Sequence, residues 1–200
     1  MTTTTTSAID SLLSRMSHPG SMMTGPSPND EELKQILGAA QRAADHRQLR
    51  PWRFIVVRPA HYQEFFDRLA AAATRVQGDP ARYQINRDKY ELTQRAPLVV
   101  VAAAKIDMNH KTAPVEQMFA AAGATQLVLS AAHALRFKAF LFSGAGVFDK
   151  EFKIALGLAD TDHLIGFICI GKPAGNDKAG PSADQLVREG LAKTVSEWRP

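Results

Sequence analysis

The chain has 200 residues, 45% of them hydrophobic, and a formal net charge of +4, which suffices for one good core and fits one domain better than two. A single cysteine, Cys169, excludes an intrachain disulfide framework, and no Cys/His spacing of the zinc type occurs, so no metal site is expected. The modest, dispersed charge argues against a nucleic-acid partner, and no apolar run reaches the roughly eighteen residues of a bilayer span, so a cytoplasmic protein that does not enter the membrane is expected.

Met1 to Ser7 is threonine-rich, lacks the basic and apolar regions of a signal peptide, and is expected to be a disordered tail, with residues 8–200 forming one domain. Ala8 to Met16 predicts a short helix with an apolar face. His18 to Pro28, rich in Pro, Gly, Ser and Met, predicts a loop. Asn29 or Asp30 is a good N-cap for a helix from Glu31 to about Ala44, with Glu31 and Glu32 favourable in its first turn. The run Phe54 to Val57 has the length and β-branched content of a buried strand. Between helix and strand lies Arg42-Ala43-Ala44-Asp45-His46-Arg47-Gln48-Leu49-Arg50-Pro51-Trp52-Arg53, dense in cations; Pro51 predicts an extended Arg50 and ends the helix. Such a link at a sheet edge is where ligands often sit.

A second helix is predicted from about Ala60 to Val76, broken at Gly78-Asp79-Pro80, and a polar surface helix from Arg82 to Gln94. Pro97 to Ala104 predicts a second strand, and Pro114 to about Leu135 a long helix whose small residues permit close helix approach. Phe137 to Phe142 predicts a third strand, Ser143-Gly144-Ala145-Gly146 a tight loop, and Asp149 to Leu156 a helix stopped by Gly157. Leu164 to Ile170 predicts a fourth strand ended by Gly171-Lys172-Pro173, with Cys169 a buried structural residue inside it. After about Ala174 the chain is a polar extension with an amphipathic stretch near Leu186 to Val195. Four apolar runs among helices predict an α/β or α+β sheet covered by helices, with strand order left open.

Three clusters have the chemistry of an anion site: Arg15-Met16-Ser17, Arg42 with His46, and Phe142-Ser143-Gly144-Ala145-Gly146. An arginine grips a phosphate bidentately, a serine adds a donor, and glycines admit backbone N–H groups. Each has a plainer reading. Arg15-Met16-Ser17 also fits an ordinary helix C-terminus with a cation on the dipole, and His46 a helix-end histidine bonded to nearby carbonyls.

Taken together and in order, these clusters resemble the nitroreductase family of flavin-dependent oxidoreductases, from about Leu12 to Pro173. The pattern A-A-x-x-A-x-D-H-x-x-x-x-P-W-x-F from Ala39 to Phe54 carries the resemblance. Asp45-His46, Pro51-Trp52, Asn109-His110-Lys111, Glu116-Gln117 and Ser143-Gly144 point to the small YdjA-type branch. The resemblance implies an α+β fold with a central, mostly antiparallel sheet flanked by helices. It also implies a homodimer holding FMN at the subunit interface, and ping-pong transfer from NADH or NADPH to nitroaromatics, quinones or similar small acceptors. It assigns cofactor contacts to Arg15, Met16 and Ser17, to Arg42 and His46, and to Leu141, Phe142 and Ser143. Met16 and Phe142 stand where the family pattern has arginines, with Arg47, Arg50 and Lys138 as candidate replacements. A nitroreductase fold with weakened or lost FMN binding, acting as a ligand-binding or regulatory module, is the alternative. The flavin carries the redox chemistry, so the resemblance requires no catalytic side chain.

Overall fold

Seven consecutive apolar residues, Leu98 to Ala104, can form a strand only if both of its faces are covered. The computed structural model, which describes residues 7–175 and 182–199, covers both. Its strands are β1 (Met23–Thr24), β2 (Trp52–Val57), β3 (Leu98–Ala104), β4 (Lys138–Phe142) and β5 (His163–Pro173). The order is β2-β3-β5-β4, with β1 against the far end of β5, and every strand pairing is antiparallel. Antiparallel pairing decides for α+β.

The helices are α1 (Ala8–Ser14), α2 (Asp30–Ala39), α3 (Tyr62–Gln77), α4 (Tyr83–Glu91), α5 (Pro114–Ala134), α6 (Lys150–Ala155) and α7 (Ala183–Thr194). The alternation of β3 sorts them into two layers. Val99, Val101 and Ala103 join Phe65, Phe66 and Leu69 of α3, Tyr90 of α4 and Phe152 of α6 in one core. Leu98, Val100 and Ala102 join Leu33 and Ile36 of α2 and Ala124, Val128 and Ala132 of α5 in the other. Every residue of β3 is buried. No helix among the described residues is long and apolar enough to cross a membrane.

Several elements depart from the sequence expectations. Residues 1–6 of the expected tail lie outside the described residues, but Ser7 is ordered: it forms a capping box with Asp10 that starts α1. Met23–Thr24, within the expected loop, pairs with Lys172 and Pro173, so β5 runs past Ile170 and a fifth strand appears. A two-residue strand is defined by its partner and leaves no periodicity of its own. The α2 helix ends at Ala39 and tightens into a 3-10 turn over Ala40–Arg42. Arg50 is not extended but has φ 51, because Asp45 Oδ2 accepts its N–H at 2.5 Å and closes the link on itself. The α4 helix lies largely on the surface, yet Asn86 and Tyr90 are buried against α3 and the aromatic core.

Gly166 faces the slip in register between Ala102 and Ala103 of β3. A Cβ there would stand 2.5 Å from the Phe142 carbonyl oxygen, so glycine allows β4 to close onto β5.

Candidate functional site

Arg15 leaves α1 in an extended conformation (φ −65, ψ 125), because the seven-residue helix ends at Ser14. Extension lets Ser17 form a parallel bridge with Ala139 of β4, and His18 N–H reaches the Ala139 carbonyl at 3.4 Å. The triplet is thereby fixed beside the start of β4. His18, only 6% exposed, links two parts of this corner: its Nδ1 lies 3.1 Å from the Met16 carbonyl and its Nε2 3.2 Å from Lys138 Nζ. Ser14 Oγ lies 3.1 Å from His133 Nε2 at the end of α5. Arg15 Nη1 is buried and has no hydrogen-bond partner.

Basic side chains gather in this corner. Burial first, then the charges of Lys138, Arg15, Arg136 and His18, push the His133 pKa below its ordinary value. A buried guanidinium nitrogen without an acceptor is unfavourable unless an anion completes it. The corner therefore fits a phosphate.

At the other end of β4 the side chains divide between the cores. Leu141 packs into the α2/α5 core, whereas Phe142 joins the aromatic group of Tyr90, Phe140 and Phe167 at centroid distances of 6.1, 6.4 and 5.1 Å. The Phe142 ring is thus used in packing, and only the backbone and the exposed Ser143 continue toward the loop. A Cβ on Gly144 would lie 3.0 Å from Tyr90 Oη and 3.9 Å from Lys89 Nζ. Lys89 brings a cation to this loop that the sequence reading missed. Its charge lies on a polar helix among Arg87, Asp88 and Glu91, where nothing local marks it out.

Arg42 and His46 occupy a different place. Arg42 ends the 3-10 turn and, with Gln41, Asp45, Gln48 and Trp52, lines a cavity of about 310 Å³. His46 Nε2 accepts from Arg47 Nε at 3.1 Å. Arg47, Gln48 and Arg50 all have positive φ (64, 56 and 51), a costly conformation for residues with a Cβ. Trp52 packs against both the α2/α5 core and the smaller group of Ala104, Ile106 and Ala121 in the first half of α5. Arg15, by contrast, adjoins His133 near the end of that helix. At the helical rise, Ala121 and His133 are about 18 Å apart. One chain therefore gathers Arg15, Met16, Ser17 and Lys138 in one group, and Arg42 with the neighbouring His46 in another.

Beyond the Arg50 side of the link lies a cavity of about 460 Å³ lined by Arg50, Pro51, Lys105, Asp107, Asn109 and Thr161 among others. Its 105–109 wall is pinned by Gln117, 1% exposed, which accepts from Asp107 N–H at 2.9 Å and donates to the carbonyls of Asp107 and Thr112 at 2.9 and 2.8 Å. Cys169 is buried in β5, and burial pushes its thiol up to about 12, which suits packing and not nucleophilic chemistry.

The nitroreductase family model matches residues 23–172. The chain belongs to the nitroreductase family. It is 31% identical over 166 residues to the Escherichia coli K12 protein named "Putative NAD(P)H nitroreductase YdjA", covering 83% of this chain and 88% of that protein. A likewise named Haemophilus influenzae protein is 35% identical over 158 residues, covering 78% of this chain and 83% of its own length. Among solved structures, a nitroreductase with bound FMN from Bacteroides fragilis superposes with a TM-score of 0.69 at 16% identity, covering 96% of this chain and 98% of that one. The last of these likenesses bears on the fold alone.

Proposed function

We propose that this protein is a homodimeric FMN-dependent oxidoreductase that passes reducing equivalents from NADH or NADPH to nitroaromatic, quinone or similar small acceptors. The observation that carries the reading is Arg15 Nη1, buried without an acceptor in a corner that also holds Lys138, His18 and His133. The names of the curated relatives and the FMN carried by a protein of the same fold support the reading.

The placement of the two groups supports a site shared between subunits. Arg15 adjoins His133, whereas Arg42 lines a separate cavity with Trp52, which packs by Ala121, about 18 Å before His133 along α5, so the two arginines belong to different groups of one chain. A second copy can bring its own Arg42 and His46 to the Arg15 corner. Arg15 and Ser17 would then hold the phosphate, and the Leu141–Ser143 backbone would lie along the flavin. When bound, FMN would supply the hydride-accepting centre of a ping-pong exchange. Lys89, near Gly144, would offer a positive charge on the side of that loop. No side chain is needed as acid, base or nucleophile.

The test is the visible spectrum of the purified protein before and after addition of FMN, followed by NADH and NADPH oxidation with menadione and a nitroaromatic. The expected result is bound flavin and acceptor-dependent oxidation. A protein that neither holds FMN nor oxidises either nucleotide would overturn the reading. In that case the module without tight flavin binding is the better account, since Met16 brings no charge to the triplet and the Phe142 ring is packed against the core.

A further inference from the structure

Building on the proposed FMN site, we infer that Lys138, the first residue of β4, replaces the arginine missing at Met16 and grips the flavin phosphate together with Arg15. Loss of a cation from the triplet leaves Arg15 and Ser17 to hold a doubly charged group. The fold returns a cation to the same corner from another element. The Ser17 bridge to Ala139 sets residue 138 next to the triplet, one position before the bridged residue. Adjacency in the fold thus substitutes for adjacency in sequence.

A buried histidine fixes where the ammonium stands. The Met16 carbonyl has no proton to give, so the 3.1 Å contact with His18 Nδ1 requires Nδ1–H as donor. Nε2 of the neutral ring is then an acceptor, and Lys138 Nζ donates to it at 3.2 Å. The chain Met16 carbonyl, His18 ring, Lys138 ammonium runs from the substituted residue to its replacement. The Met16 carbonyl thus helps to orient the ring that positions this ammonium.

The electrostatics agree. Lys138, Arg15 and Arg136 all act on His133 as positive charges, and Arg15 keeps a buried N–H without an acceptor. A buried guanidinium N–H without an acceptor is unfavourable, and an anion at Arg15 would complete it. A phosphate monoester offers three oxygens to Arg15, Ser17 and Lys138.

Comparison of FMN with riboflavin, which lacks the phosphate, isolates this grip. Binding of each to flavin-stripped full-length protein is read by quenching of flavin fluorescence. Lys138→Met is expected to weaken FMN by about ten- to a hundredfold and to leave riboflavin within about threefold. Lys138→Arg is expected to keep FMN affinity within a few-fold, and Met16→Arg in the Lys138→Met background to restore most of it. His18→Ala is expected to weaken FMN less than Lys138→Met does. Undiminished FMN binding by Lys138→Met, or equal losses for FMN and riboflavin, would overturn the inference. If the wild-type protein binds FMN no better than riboflavin, the phosphate grip fails while the flavoprotein reading stands. If it binds neither, both fail.

Discussion

The rings of Phe142 and Phe167 lie 5.1 Å apart with their planes inclined by 37°, joining β4 to β5 inside the α3 core. Phe142 therefore does not simply lack a charge; it fills a space. Phe142→Arg is expected to destabilise the fold by about 2–4 kcal/mol, since the aromatic packing is lost and a guanidinium must be accommodated near Tyr90 and Phe140. Met16→Arg, at the partly exposed triplet, is expected to change stability by less than about 1 kcal/mol. Urea unfolding of the two variants checks the contrast, and equal costs would contradict it.

Asp149 closes α6 onto α3. Its Oδ1 accepts Phe152 N–H at 2.7 Å and Arg75 Nη2 at 2.7 Å, while Oδ2 accepts Arg75 Nε at 2.9 Å. The Arg75 hydrogen bonds, aided by that of Phe152 and opposed by burial, hold its carboxyl below the ordinary value of 3.8. A depressed folded-state pKa stabilises the fold fully above the unfolded value and is lost as pH falls through the folded one. Asp149→Ala is thus expected to cost about 2–4 kcal/mol at pH 7, through lost capping and charge-assisted bonds. The gap to wild type should shrink below pH 4, as read by unfolding at a series of pH values.

Gln117 is expected to be the most sensitive polar residue of α5. Gln117→Leu keeps the volume but leaves the Asp107 N–H and the Thr112 carbonyl without partners and the Asp107 carbonyl with only the His110 N–H at 3.3 Å, at a cost of about 2–4 kcal/mol. Faster amide hydrogen exchange confined to residues 105–113 would report the loosened wall of the neighbouring cavity.

A shared site predicts complementation between subunits. Arg15→Ala and Arg42→Ala homodimers should each bind FMN at least about tenfold more weakly than wild type. When the two are mixed and allowed to exchange subunits, the heterodimer has one site with both arginines and one with neither. About a quarter of the wild-type sites should regain full affinity at random exchange, measurable by flavin titration. No recovery would place Arg15 and Arg42 in separate sites or in one chain.

Helix caps, the buried strand Leu98–Ala104 and the order of Asp45-His46, Pro51-Trp52 and Ser143-Gly144 were legible because each is a local pattern with its own physical reason. Breaks at Gly78 and Gly157 were legible too: both take positive φ, which glycine adopts without strain. Less legible were features that need a distant partner. The short β1 exists through Lys172 and Pro173, and the left-handed Arg50 through the carboxylate of Asp45.

The cation-rich link from Arg42 to Trp52 shows both sides of this division. Sequence by itself determined its composition, its place between a helix and a strand, and the family pattern it carries. Only the tertiary structure decided that Arg42 and Arg15 fall into separate groups, that the Phe142 ring packs against the core, and that Lys138 reaches the Arg15 corner through His18. The reason is that hydrophobic periodicity and capping act within a few residues, whereas a charge gains its function from neighbours that strand pairing brings in from more than a hundred residues away.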